Sequence, residues 1–169
     1  EQAIKLLHKK KQLENIERHL SALVAKDPAR KVRQTALEGI CKVLRKTSVP
    51  EAIMTPLLEG VARRLKSKDH SEGKEAVLGL AAVYAKHRAT EEDAVSWIPT
   101  SIFQAVHLRS TLVHVLDHVL VQGKNVDELA DGWIRLTQDV AQHDPGTVHL
   151  RQLLEHRYEV QAAVSRYLD

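Results

Sequence analysis

The 169-residue sequence is poor in cysteine, aromatic residues, glycine and proline, and each shortage narrows the possible structures. Cys41 is the one cysteine, which excludes an internal disulfide and a cysteine-based zinc site and fits a reducing compartment. Aromatic residues make up 4% of the chain and hydrophobic residues 43%, so Leu, Val, Ile and Ala must form the core. No apolar run reaches the ~20 residues that span a bilayer, and no signal peptide opens the chain.

The chain has seven glycines and five prolines and no Gly/Ser-rich run, so no flexible linker is visible in the sequence. A chain of this length is an ordinary size for one domain. The sequence begins with Glu1, rather than Met, already in a helix-like pattern. We therefore expect residues 1–169 to form a single array that is a segment of a larger protein.

The net charge of +3 conceals an uneven distribution along the chain. Residues 1–88 contain 19 Lys and Arg against 10 Asp and Glu, a balance of +9. Residues 89–169 contain 6 against 12, a balance of −6. This asymmetry suggests an acidic partner for the first half, either nucleic acid or an acidic protein segment. The alternative is that these cations only solvate helix surfaces.

Apolar residues recur every three or four positions along most of the chain, which predicts an all-α protein. Pro56 predicts a bend or a late start in the third helix, and Pro99 predicts a break. Asn125 followed by Glu128 predicts a capped helix start, as does Asp144 followed by proline. The predicted helices cover about residues 2–25, 29–46, 50–66, 72–87, 109–122, 125–142 and 144–168, with another interrupted near residue 99.

Two of these helices repeat one pattern forty residues apart: RQTALEGICKVLRK (33–46) and GKEAVLGLAAVYAK (73–86). Helix pairs that repeat at about 40–47 residues are typical of HEAT and armadillo arrays, in which neighbouring repeats bury a shared core. We therefore predict a HEAT-repeat α-solenoid of stacked antiparallel helix pairs. Ala36 and Ala76 should be buried where equivalent helices pack. Gly39 and Gly79 should mark close packing, because glycine otherwise weakens a helix.

The stretch LLEGVARRLKSKDHSEGKEAVLGLAAVYAKH (57–87), followed by VSWIPTSIFQAVHL (95–108), resembles the central HEAT repeats of the precocious-dissociation-of-sisters family. The likeness covers about residues 20–169. The chain departs from the family pattern at Ser71, Glu72 and Gly73, where the family has Arg-Val-Arg, and in FQAVHL, where the family is rich in tyrosine. The matching positions are Lys74, Glu75, Ala76, Gly79, Leu80, Ala81, Tyr84, Lys86, Trp97 and Ile98.

This resemblance implies a nuclear, chromatin-associated scaffold without catalysis or cofactor. Proteins of the family bind the kleisin subunit of cohesin and cohesin regulators, and so control sister chromatid cohesion during the cell cycle and cell division. Two alternatives stay open at the level of sequence. One is another HEAT or armadillo adaptor, in nuclear transport or as a phosphatase scaffold. The other is a helical array that binds the phosphate backbone of DNA.

Eight basic residues cluster near the predicted turns of the first two repeats. We call this cluster the basic edge, and its members are given at the end of this paragraph. In a solenoid these turns align along one side, so the edge is the candidate binding site for an acidic protein segment, with weak non-specific DNA contact as the alternative. Reversing the charge at Arg30, Lys31, Arg63 and Arg64 should leave the fold intact. The basic edge comprises Lys26, Arg30, Lys31, Arg33, Arg63, Arg64, Lys66 and Lys68, with Lys74 close behind.

An enzyme or metal site is the third possibility, since the chain has ten histidines. His114 and His118 have a spacing that can hold a metal, but Val115 stands where a metalloprotease needs glutamate. His143 with Asp144 resembles a phosphohydrolase pair, yet the following proline makes Asp144 a helix cap. No phosphate loop or catalytic triad appears. We therefore expect no metal and no catalysis.

The large aromatic residues could be core or partner contacts. We expect Trp97, Trp133 and Tyr84 to fill the core. Tyr158 and Tyr167 are candidates for packing against a following repeat.

Overall fold

The computed structural model describes residues 2–46, 49–88, 93–121, 125–143 and 145–168. Across these ranges the protein is all-α and contains no strand, as the sequence predicted. No helix among them is both long and apolar enough to cross a membrane. The α-helices are α1 Gln2–Lys26, α2 Arg30–Lys46, α3 Glu51–Ala62, α4 His70–Arg88, α5 Ile98–Phe103, α6 Arg109–Val115, α7 Val126–Ala141 and α8 Gly146–Leu168.

The chain divides into two compact units, Glu1–Val83 and Tyr84–Asp169, with the boundary inside α4. The organisation of residues 1–169 as one array stays a prediction. In the first unit α1 packs against both α2 and α3. Because α1–α2 and α3–α4 are successive helix pairs, contact between α1 and α3 is the stacking expected of a helical repeat.

The repeated helices α2 and α4 also contact each other within the first unit. A Cβ atom placed on Gly79 would lie only 2.5 Å from Cys41 Sγ, so a side chain at this position would require the Cys41 side chain to move. Ala36 and Ala76 are buried, as predicted. The prediction for Gly39 is wrong, because a Cβ there would meet no atom within 4 Å.

The second unit has its own core. α5 packs against α7 and α8, and α8 packs in turn on α6 and α7. Phe103 is among the largest fully buried side chains of this unit. A Cβ on Gly146 would collide with Thr100, so α8 begins where only glycine fits against α5. Thr100 Oγ1 also donates a hydrogen bond of 3.4 Å to the His143 carbonyl, which holds the end of the α7–α8 turn on α5.

Most predicted helix bounds lie within two residues of the observed ones, and the differences occur at prolines and helix ends. Pro56 lies inside α3, which neither starts late nor stops there. Pro99 occupies the first turn of α5, where its missing N–H costs nothing, so it begins a helix rather than breaking one. The predicted helix 109–122 ends in a π-helical turn, Leu116–Leu120. The Asn125 cap is confirmed, because its side chain accepts a 2.8 Å hydrogen bond from the Glu128 N–H.

Candidate functional site

The basic edge lies at two structured turns of the first unit. Between α1 and α2, the Asp27 carboxylate accepts a 2.8 Å hydrogen bond from the backbone N–H of Ala29. Between α3 and α4, a short 3-10 helix, Arg63–Lys66, leads to Asp69, whose carboxylate accepts a 2.9 Å hydrogen bond from the backbone N–H of Ser71. Asp and Ser side chains commonly bond the backbone two residues on and so fix turns of this kind.

The two turns are neighbours in the folded chain. Arg30, on the first turn of α2, has its Nε 2.9 Å from Oδ2 of Asp69 at the start of α4. Arg64, in the 3-10 helix, donates a 2.8 Å hydrogen bond from Nη2 to the Ala25 carbonyl near the end of α1. The structure therefore brings the basic residues of the two repeats together on one side of the first unit.

Two members of the basic edge point inward to a buried carboxylate, Glu72, which is only 2% exposed. Arg33 Nε donates a 2.8 Å hydrogen bond to Oε1 of Glu72. On the other oxygen, Oε2, Ser67 Oγ donates at 3.0 Å and Arg64 Nη1 lies at 3.6 Å. Arg33 and Arg64 are 20% and 21% exposed, so treating Arg64 as a surface position free for charge reversal is wrong.

The remaining six members of the basic edge are exposed, and one of them, Arg30, is 56% exposed while its Nε pairs with Asp69. Arg63 has a loose ion pair with Glu59, at 3.8 Å, and both side chains are mostly in water. Such exposed pairs stabilise a fold by ~1 kcal/mol or less, so the cations can exchange partners readily. The six exposed members are Lys26, Arg30, Lys31, Arg63, Lys66 and Lys68.

Glu72, which divides the basic edge into buried and exposed members, was not predicted from the sequence. A signal was present, because Asp69 followed three residues later by Glu72 has the form of a capping box at the start of α4. Glu72 also belongs to the tripeptide Ser71-Glu72-Gly73, at which the chain departs from the family pattern described above. That departure places a buried acid where two arginines can reach it.

A second buried carboxylate, Asp139, lies in the second unit and is fully buried. Tyr84, at the end of α4, donates a 2.8 Å hydrogen bond from its hydroxyl to Oδ2 of Asp139. Arg88 Nε lies 2.9 Å from the same oxygen. Burial, together with this hydrogen bond, raises the pKa of Tyr84 well above its usual value, so the hydroxyl keeps its proton and remains a donor.

The described residues contain no group of three His, Cys, Asp or Glu side chains that could hold a metal ion. The His114 and His118 rings are neighbours, with centroids 4.8 Å apart. Asp117, which separates them, forms a 2.8 Å ion pair with Arg157. Asp144 lies outside the described residues. Burial raises the pKa of the Cys41 thiol to about 12, which keeps it protonated and a poor nucleophile.

The family model for the sister chromatid cohesion protein PDS5 matches residues 1–169, the entire chain. The chain belongs to the PDS5 family. Neither a curated protein nor a solved structure matched it. Membership in this family of cohesin regulators gives the chain a role in sister chromatid cohesion and the cell cycle. It also decides against the transport and phosphatase adaptors that the helical repeat alone left open.

The aromatic side chains of this PDS5-family protein have several environments. Tyr84 is buried, as predicted. Trp97 is half-buried, and its indole N–H donates a 3.0 Å hydrogen bond to the Ala94 carbonyl just before α5. Trp133 on α7 is also half-buried, whereas Tyr158 on α8 is 73% exposed. Neither tryptophan is wholly within the core, so each has part of its ring at the surface. The Tyr167 side chain lies outside the described residues.

Proposed function

We propose that this PDS5 segment is a non-catalytic scaffold that binds the kleisin subunit of cohesin and cohesin regulators on chromatin in the nucleus. The family match over the entire chain carries this proposal. The protein would act by holding its partners and would need no cofactor.

The contact surface within this proposal is the exposed part of the basic edge. Six cations on two adjoining turns would attract an acidic stretch of a partner and speed its association. Arg33 and Arg64 have a different task, since Glu72 engages both and they hold the two helix pairs in register. An acidic segment of kleisin or of a cohesin regulator is thus the expected ligand, with weak DNA contact at most.

The test is direct binding of purified kleisin to three forms of the segment. The edge variant reverses three exposed lysines, Lys31→Glu, Lys66→Glu and Lys68→Glu, and spares the arginines that contact Glu72. Each substitution should move stability by less than about 0.5 kcal/mol, so the fold should persist. Kleisin affinity should fall at least about tenfold, and the parent affinity should fall with salt.

A matched control reverses three other exposed cations of the first unit, Lys11, Arg18 and Lys42. Arg18 and Lys42 lie about two helical turns or more from the nearest edge residue of their helices. The control has the same change in net charge, so it should bind kleisin almost as tightly as the parent. Equal loss in both variants would mean that only net charge matters. If the parent bound DNA tightly at physiological salt and the edge variant did not, the DNA-binding array would replace this proposal.

A further inference from the structure

A groove lies between α2 and α4, the two helices that repeat one sequence pattern. Its volume is about 290 Å³, the space of roughly ten waters at ~30 Å³ each. Stacked repeats present extended surfaces of this kind to their ligands. The groove lies wholly within the first unit. It is lined by Leu37, Glu38, Cys41, Lys42, Arg45, Glu75, Leu78 and Gly79.

The two helices run in the same direction, which fixes the order of the side chains along the groove. Arg33 near the start of α2 donates a hydrogen bond to Glu72 near the start of α4. Further along both helices, a Cβ on Gly79 would meet Cys41. Glu75 lies between these two contacts on α4. It is therefore level with the first half of the groove, where α2 enters it.

Charge is divided between the two ends of the groove. The acidic end holds Glu38 and Glu75, one from each helix, and the basic end holds Lys42 and Arg45. From Glu38 to Arg45 the helix rises about 10 Å. In the described part of the chain, Glu38, Lys42 and Glu75 take part in no ion pair. Arg45 donates a 3.3 Å hydrogen bond from Nε to the Cys41 carbonyl, which leaves its Nη groups for a ligand.

The floor between the charged ends is apolar. Leu37 and Cys41 are buried, and Leu78 beside them is half-buried. The Cys41 thiol stays protonated, so the floor carries no charge. A ligand that fits must place an apolar side chain over this floor, a cation at the acidic end and an anion at the basic end. A ligand with one sign of charge would be attracted at one end and repelled at the other.

We propose that this groove binds an extended segment of a protein partner in which a lysine or arginine, an aliphatic residue and a glutamate or aspartate occupy alternate positions. Alternate side chains of an extended chain lie on one face, and the two charged positions are about 13 Å apart at ~3.3 Å per residue. The cation donates charge-assisted hydrogen bonds to Glu38 and Glu75, and the carboxylate accepts them from Lys42 and Arg45. This contact goes beyond the proposed function, because it uses no residue of the basic edge.

The experiment is an NMR titration of the ¹⁵N-labelled protein with acetylated, amidated pentapeptides. The probe is Arg-Ser-Leu-Ser-Glu. Three control peptides keep the leucine and change the ends: Gln-Ser-Leu-Ser-Gln, Arg-Ser-Leu-Ser-Arg and Glu-Ser-Leu-Ser-Glu. The probe should produce saturable shifts at the backbone amides of Cys41, Lys42, Leu78 and Gly79. It should bind at least about fivefold tighter than each control, and added salt should weaken it.

Two charge-reversal variants should change which peptide binds tightest. Glu38→Lys with Glu75→Lys makes both ends basic, so Glu-Ser-Leu-Ser-Glu should become the tightest ligand. Lys42→Glu with Arg45→Glu makes both ends acidic, so Arg-Ser-Leu-Ser-Arg should become the tightest. Because each variant gains a ligand, a misfolded protein cannot imitate the result. The edge variant with three reversed lysines is the control and should keep the preference of the parent.

The matched control variant of the kleisin experiment separates this proposal from the proposed function, because one of its reversed cations, Lys42, belongs to the groove. That variant should keep its affinity for kleisin and lose most of its affinity for the probe peptide.

Three results would overturn the proposal. Equal affinity for the four peptides would show that charge is not recognised. Shifts confined to other helices would place the contact outside the groove. Charge-reversal variants that keep the preference of the parent would show that the two charged ends do not select the ligand.

Discussion

The two units of this PDS5-family protein each bury one carboxylate against arginine, but they surround it differently. Glu72 in the first unit has contacts on both oxygens, from Arg33 on one and from Ser67 and Arg64 on the other. Asp139 in the second unit has its contacts on Oδ2, and Oδ1 accepts no hydrogen bond from the described residues.

In each unit, the buried carboxylate determines which arginines serve to stabilise the fold. The number of its contacts determines how firmly those arginines are held. Charge buried without partners is expensive, so each acid requires its cations to stay near. In the first unit this removes Arg33 and Arg64 from the exposed basic edge. In the second unit it pairs Arg88 with the fully buried Asp139. The consequences for stability should also differ, because the number of partners per acid differs.

The largest expected effect comes from Arg88→Ala, which removes an ion-pair partner of the fully buried Asp139. Removing one member of a buried pair typically costs about 3–5 kcal/mol. Urea denaturation should show a loss in this range. The triple variant Arg88→Met, Asp139→Leu and Tyr84→Phe should recover most of it, because it removes the uncompensated charge together with the Tyr84 hydroxyl that would otherwise lose its acceptor. A triple variant as unstable as the single one would contradict this explanation.

A smaller effect is expected from Arg33→Ala in the first unit. Glu72 keeps Arg64 and Ser67 in this variant, but the turn loses the hydrogen bonds that Arg33 donates to the Asp27 and Pro28 carbonyls, at 2.8 and 3.1 Å. We expect a loss of about 1–3 kcal/mol in the free energy of unfolding. Urea denaturation measures it, with the exposed Lys31→Ala as the control, which should change stability by less than about 0.5 kcal/mol. A loss as large as that of Arg88→Ala would mean that the number of partners per acid does not matter.

The sequence predicted the helices well because their signals are local. Hydrophobic spacing and the Asn125 cap act over a few residues, and both are present in the structure. The forty-residue repeat predicted which alanines are buried, because it reports a position shared by stacked helices. It could not distinguish Gly39 from Gly79, since the difference lies in a neighbour, Cys41, that only Gly79 meets.

The binding surfaces depend more on tertiary contacts than the helices do, so fewer of their residues could be predicted from the sequence. The clustering of basic residues along the chain identified the basic edge. It did not predict that Glu72, which lies on the later helix α4, would bind two arginines of that edge and hold them partly buried. The contacts of Asp139 with Tyr84 and Arg88 were not predicted, because Asp139 is far from both in sequence and meets them only when α4 and α7 pack. The π-helical turn Leu116–Leu120 has no clear sequence signature either.

Hydrogen–deuterium exchange of this protein with and without purified kleisin tests the central claim most directly. Binding at the basic edge should slow exchange in peptides that cover residues 26–33 and 63–69, the two adjoining turns. The edge variant with three reversed lysines should lose this protection, and the matched control variant should keep it. Protection confined to other helices, or unchanged in the edge variant, would contradict the assignment of the exposed basic edge as the partner-binding surface.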